Sequence, residues 1–165
     1  MSDARTHAAS VAGLYTPEQR VRRDSTVWTT VQGILAPVQF FVFLVSLGLV
    51  LRFLSTGEGY ALATASILAK TFCLYLIMVT GAIWEKVVFG QYLFAPVFFW
   101  EDVVSFGVIA LHTLYLYGLL SNAFPPTTLM AITLSAYVIY VVNAAQFVWK
   151  LRAARLQGQT QGVPA

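Results

Sequence analysis

The sequence predicts an all-α integral membrane protein with four transmembrane helices and an aromatic-rich connector between the second and third. Three observations carry this. First, 58% of the residues are hydrophobic and 10% charged, with a mean hydropathy of +0.72, against about 25% charged in a typical globular domain. A core built from 165 residues cannot hide so much apolar surface, so lipid must solvate much of it. Second, four apolar runs each approach the roughly 20 residues that a spanning helix needs. Third, basic residues gather where the runs begin and end, with few inside them.

The elements follow in order. Residues 1–30 are polar and mixed, including Pro17, Glu18, Gln19, Arg20, Arg22 and Arg23. A cleaved leader would reach its apolar stretch sooner and end in a small-residue site, so this segment reads as retained. The first run covers Val31 to Phe53, the second Tyr60 to Trp84, the third Val103 to Leu120 and the fourth Thr127 to Trp149. Strands of a membrane barrel would alternate apolar and polar residues over shorter segments, and these runs do not. Ser55 to Gly59 and Asn122 to Pro126 are turn signals. The longer connector, Lys86 to Trp100, carries Phe89, Tyr92, Phe94, Phe98, Phe99 and Trp100, and its aromatic rings suit the headgroup level. The domain plan is therefore residues 1–30 as an N-terminal segment, 31–149 as the transmembrane domain and 150–165 as a tail, frayed beyond Gln157. Arg20, Arg22 and Arg23 before the first run, and Lys150, Arg152 and Arg155 after the fourth, place both termini and the middle connector in the cytoplasm by the positive-inside rule.

Several function classes drop out. One cysteine, Cys73, allows no intrachain disulfide and no cysteine metal site. The two histidines are His7, in the polar N-terminal tail, and His112, which argues against a bis-histidine haem. The net charge of +3 sits at membrane edges, with no basic-aromatic platform for nucleic acid. Nucleotide, metalloprotease and lipidation motifs do not appear.

What remains to be explained is polarity inside the runs, where an ionisable or amide side chain is a functional hypothesis and interhelical hydrogen bonding its competitor. At 100° per residue, Glu101, Ser105 and His112 fall within about 40° on one face of the third helix, with Tyr115 close by. Asp102 points about 100° away from Glu101, so sequence adjacency does not make the two a proton-sharing pair. Lys70, Gly81 and Glu85 share a broad face of the second helix. Trp28, Gln32, Ala36, Gln39 and Phe43 form a stripe on the first, with Pro37 expected to bend it. Tyr140, Asn143, Phe147 and Lys150 do so on the fourth. Four such faces turned inward would line an aromatic cavity holding a few acids and amides. Lys86 and Lys150 read as snorkelling at the interface; Lys70 lies deeper and is expected to snorkel in part. A neutral imidazole at His112 can be an axial metal ligand, a base or a bundle hydrogen bond.

The stretches "STVWTTVQGILAPVQFFVFLVSLGLVLRFL", "KTFCLYLIMVTGAIWEKVVFGQYLFAPVFFWEDVVSFGVIALHTLYL" and "YVVNAAQFVWKLRAARL" resemble the 3-vinyl (formerly 2-vinyl) bacteriochlorophyllide hydratase family. The likeness runs from Tyr15 to Leu156, and the block "WEKVVFGQYLFAPVFFWEDVVS" is long and unusual enough to be specific. The resemblance implies an enzyme of bacteriochlorophyll biosynthesis that adds water to the C3-vinyl group of chlorophyllide a, or of related vinyl chlorophyllides, giving the 3-(1-hydroxyethyl) product. It implies no redox cofactor, and a place in the inner or intracytoplasmic membrane of a phototroph. Partners would be the magnesium chlorin, the bilayer, and a second copy or other pigment-biosynthesis enzymes. Without the resemblance, a non-enzymatic pigment-binding or assembly factor, or a small transporter, would be the default.

Hydration asks for a proton on the terminal vinyl carbon and a hydroxyl on the inner one. A carboxylic acid in an apolar wall can keep the proton it must donate, and a second carboxylate can stabilise the developing cation and accept a proton from water. Glu101 reads as the donor because it shares the face of His112, with Asp102 or Glu85 handling water and Lys86 as an ion-pair partner. His112 would ligate the chlorin magnesium or position the water. Trp84, Trp100, Tyr115 and the connector would stack on the macrocycle, Ser105, Lys70, Gln39 and Asn143 would add polar contacts, and a rim arginine or lysine would meet the substrate's propionate.

Overall fold

The computed structural model describes residues 13–160, and side chains as far as Leu156; His7 and the ends of the chain lie outside the described residues. Among the described residues five helices follow one another: α1 Pro17–Ser25, α2 Val27–Thr56, α3 Tyr60–Phe89, α4 Phe99–Leu120 and α5 Pro126–Thr160. All but α1 are long and apolar enough to cross a membrane. Their order alternates up and down, so the start of α2, the end of α3, the start of α4 and the end of α5 share one end of the bundle with α1.

The helix boundaries run past the apolar runs because polar caps extend them. Thr16 caps α1 in a reciprocal box with Gln19, and Pro17 opens the helix. Thr26 ends α1 and caps α2 through Trp28 N–H, so a single extended residue separates the two helices. Gly57 (φ 75°) and Gly90 (φ 87°) terminate α2 and α3 in left-handed conformation. The helix of the third run begins at Phe99, which puts Glu101 and Asp102 in its first turn, where negative charge meets the positive end of the dipole. Helix α5 continues to Thr160, through the stretch expected to fray.

α2 packs along α3, and α4 along α5, as two hairpins. Three clusters join them. Phe43, Leu74, Val108, Ala136, Tyr137 and Tyr140, from all four spans, fill the middle. Val50, Ala63, Ile67, Tyr115, Leu129 and Met130 fill the end that carries the short turns. Tyr15, Val88 and Phe98, with Trp84, Phe89 and Phe147, close the opposite end. Outward faces carry exposed apolar side chains such as Phe41, Phe72, Val79 and Val138, as expected where lipid is the solvent.

At the α4–α5 turn, a Cβ added to Gly118 would collide with the Phe124 ring and stand 3.0 Å from Leu129 Cδ2. Gly118→Ala should therefore lower stability by about 1–3 kcal/mol, read as an earlier thermal transition of the detergent-solubilised protein. An unchanged transition would show that the turn gives way freely.

Candidate functional site

Between the middle cluster and the aromatic end cluster lies a cavity of about 610 Å³, within the usual size range for ligand pockets. Gln39, Leu74, Val108 and Tyr140 form its floor, Gln32, Met78 and Gly81 one flank, and Ser105, Asn143 and Phe147 the other. Trp84, Phe98, Glu85 and Asp102 stand nearer the mouth, where Tyr15, Arg20, Arg23 and Arg155 form the rim. Most of the wall is apolar, with polar groups at a few points.

The acids meet at the connector. Glu85, near the end of α3, is 5% exposed and Asp102, in the first turn of α4, is 4% exposed. Ala95 N–H donates to Glu85 Oε2 at 3.1 Å and Phe94 N–H donates to Asp102 Oδ2 at 2.7 Å. The two carboxyl groups stand within hydrogen-bonding reach of each other. Carboxylates only accept hydrogen bonds, so a hydrogen bond between the two needs a proton on one of them. Phe94 holds a positive φ of 59°, which costs a bulky residue about 1–2 kcal/mol. The strain falls on the residue whose N–H binds Asp102.

Glu101 turns the other way, as the 100° offset requires. Its Oε2 accepts from Lys150 Nζ at 2.6 Å, and Lys150 also donates to Val97 O. Lys150 therefore does not snorkel: it reaches inward and ties α5 to α4 and the connector, because a buried carboxylate offers more than headgroup water does. Asn143 Nδ2 donates to Glu101 O at 2.8 Å and to Ser105 Oγ at 3.0 Å. Both amide hydrogens are thus engaged, leaving Asn143 Oδ1 as an acceptor on a residue that lines the cavity.

The other sequence candidates divide. Trp84, Ser105, Gln39 and Asn143 line the cavity with Glu85 and Asp102, whereas Glu101, His112, Lys70, Tyr115 and Trp100 do not. His112 lies one turn below Val108, fully buried, with Nδ1 bonded to Val108 O at 2.9 Å and the ring near Tyr137. Lys70 does not snorkel either. It is 0% exposed, with Nζ 3.5 Å from the centre of the Tyr140 ring. The orientation that satisfies both partners of the Gln39 amide has its oxygen accepting from Lys70 Nζ at 3.1 Å and its nitrogen donating to Cys73 O at 3.2 Å. Lys70 thus underlies two floor residues, and a cation–π contact away from water offsets part of its burial. Tyr115 belongs to the far cluster, and Trp100 is 68% exposed on the outside. Lys86 bonds Gly90 O at 2.8 Å, at the α3 cap.

Sequence reasoning expected a basic rim but did not find the helix that builds it. Helix α1 folds over the mouth because Trp84 Nε1 donates to Thr29 Oγ1 at 2.9 Å and Thr29 donates to Arg23 O at 2.6 Å. Tyr15 stacks on Phe89 beneath the Arg23 guanidinium, 4.7 Å from the ring centre, and burial pushes its phenol up. Hydrogen bonding to Arg23 holds the exposed Asp24 carboxyl below its ordinary value. The signal was present in Thr16-Pro17-Glu18-Gln19, a helix start in an otherwise polar segment.

The comparisons with known proteins agree with one another. The family model described as 2-vinyl bacteriochlorophyllide hydratase matches residues 15–153. The 2-vinyl bacteriochlorophyllide hydratase of Cereibacter sphaeroides is 71% identical over 149 residues, covering 90% of this chain and 92% of the relative. That of Rhodobacter capsulatus is 68% identical over 148 residues, covering 90% and 86%. No solved structure matches the chain.

Because Lys150 is partly exposed and Glu101 is not, Lys150→Met should strand a buried carboxylate and cost about 2–4 kcal/mol. The double variant Glu101→Gln/Lys150→Met should recover much of that loss. Thermal unfolding of the three variants gives the coupling, and strictly additive effects would show that the two side chains do not depend on each other.

Proposed function

Since the chain belongs to the 2-vinyl bacteriochlorophyllide hydratase family, we propose that it adds water to the C3-vinyl group of chlorophyllide a or a closely related magnesium chlorin. It is a hydro-lyase with membrane-spanning helices. The observation that carries the mechanism is the Glu85–Asp102 pair, two buried carboxyl groups facing each other on the wall of an apolar cavity.

The chlorin enters edge-on between the hairpins, its faces against apolar walls and Trp84. Its propionate stays at the rim, where Arg155 offers a guanidinium group suited to a carboxylate. With the vinyl group at the pair, a proton held by one carboxyl passes to the terminal carbon and a C–H bond forms. Positive charge develops on the inner carbon, where conjugation with the ring spreads it. The pair, now carrying a second negative charge close by, stabilises that cation. Water held by Asn143 Oδ1 attacks the inner carbon, and its released proton returns to the carboxyls. One C–H and one C–O bond form, one O–H bond of water and the vinyl π bond break, and no electrons are exchanged. Proton and charge balance therefore demand no redox partner.

This reading moves the donor role from Glu101 to Glu85 and Asp102, because Glu101 is engaged by Lys150 and stands off the cavity. It leaves His112 and Lys70 beneath the floor, where they hold its shape. The basic ends carried by α1 and α5 support placing both termini and the mouth in the cytoplasm, in the inner or intracytoplasmic membrane of a phototroph.

Glu85→Gln and Asp102→Asn should each lower hydration by about 10²–10⁴-fold while chlorophyllide still binds, measured as 1-hydroxyethyl product by chromatography and as pigment binding by absorption. Asn143→Ala should slow turnover with its binding change smaller than its rate change. Undiminished turnover in both carboxyl variants would remove the pair from the reaction.

A further inference from the structure

Gln32 presents an oriented oxygen to the cavity that the hydration chemistry above does not use. Its orientation is decided by its partners. Thr80 Oγ1 gives its proton to Leu76 O at 2.8 Å, so toward Gln32 it can only accept, and Ile77 O is also an acceptor. Both meet Gln32 Nε2, at 2.7 Å and 3.5 Å. The amide nitrogen is therefore committed to Thr80 and Ile77, and the oxygen turns away from those two groups. That oxygen lies beside Gly81, where an added Cβ would stand 3.6 Å from Oε1. Gln32 and Gly81 both line the cavity, and among the described residues no donor reaches Oε1.

An amide oxygen turned into an apolar slot is a poor way to bind hydrocarbon, since its lone pairs lose water and gain nothing. It is a good ligand for a hard cation, because magnesium prefers oxygen donors. The ring magnesium of a chlorin is held by four nitrogens in a plane and takes a further ligand above that plane. Gly81 leaves the approach to the oxygen clear, at the usual cost of glycine inside a helix, about 1 kcal/mol relative to alanine. The spacing also fits: Gly81 and Glu85 are four residues apart on α3, a rise of about 6 Å, on the same scale as the four bonds from ring metal to inner vinyl carbon. A chlorin ligated beside Gly81 thus brings its edge to the acid pair.

Resting on the hydratase reading above, we infer that Gln32 Oε1 is the axial ligand to the magnesium of the substrate, with Thr80 aiming the amide and Gly81 keeping its approach open. The axial bond would set how deep the ring sits, and so which peripheral group reaches Glu85 and Asp102. Other oxygen and nitrogen donors are worse placed. Asn143 lies on the opposite flank, its Nδ2 against Ser105, and His112 stands outside the cavity.

The test titrates the full-length protein in detergent with magnesium chlorophyllide a and with its metal-free counterpart, following pigment fluorescence, and assays vinyl hydration separately by chromatography. The wild type should bind the magnesium form tighter by about tenfold or more, the scale of effects around metal ligands. Gln32→Leu should bring the two affinities together, to within about twofold, by weakening only the magnesium form, whereas Gln32→Glu, which keeps an oxygen, should retain the preference. Gly81→Ala, whose methyl meets the protein at ordinary contact distance, should also erode the preference by shielding the oxygen. Equal binding of both pigments by the wild type, or an undiminished preference in both Gln32→Leu and Gly81→Ala, would overturn the assignment. Failure of the hydratase reading shows elsewhere, as a wild type that binds pigment and forms no hydroxyethyl product.

Discussion

Glu85 and Asp102 are buried acids on different helices, and lipid can satisfy neither. A carboxyl group withdrawn from water must find its hydrogen bonds within the protein. These two find them in each other and in the N–H groups of Phe94 and Ala95. That requirement fixes the connector, because only a chain that doubles back at residues 90–98 can aim two backbone donors at both acids. It also sets where α3 and α4 meet, and so where the two hairpins are held together at the aromatic end. Phe94 bears the cost in a left-handed conformation, and strain of that kind concentrates where geometry serves a function.

The remaining polar groups obey the same rule and divide the bundle into layers. Glu101 and Lys150 neutralise each other outside the cavity and clamp α4 to α5. Asn143 binds that clamp through Glu101 O and keeps its own oxygen for the cavity. Below, Gln39 and Tyr140 form a polar floor to the cavity, supported from outside it by Lys70. The space between is a largely apolar cavity with polar atoms at a few fixed points. Such a site suits a large planar substrate: the walls supply affinity, and the few polar atoms decide orientation and reaction.

Helix α1 gives the slot its roof. Bound to α2 through a single extended residue, Thr26, and to α3 through the Trp84–Thr29–Arg23 chain, it brings positive charge to the mouth without entering the membrane span. The roof and the acid pair lie at the same end, so charged groups at the mouth stay near water while the cavity beneath is desolvated.

Much of this was legible in the sequence. Apolar runs of spanning length identify four helices because the bilayer fixes how many residues a helix needs. Helical geometry alone separates Glu101 from Asp102, since neighbours on a helix cannot share a face. Basic ends suggest orientation, and a specific block of residues points to the family. The sequence could not show that Glu85 pairs with Asp102, that Lys150 takes Glu101, or that Gln32 bonds Thr80. Each is a contact between helices, decided by how two hairpins rotate and slide against one another. Periodicity reports the angle of a residue on its own helix and is silent on what stands opposite. Which acids face each other is therefore a tertiary fact: in lipid a buried carboxyl takes the partner that packing brings within reach.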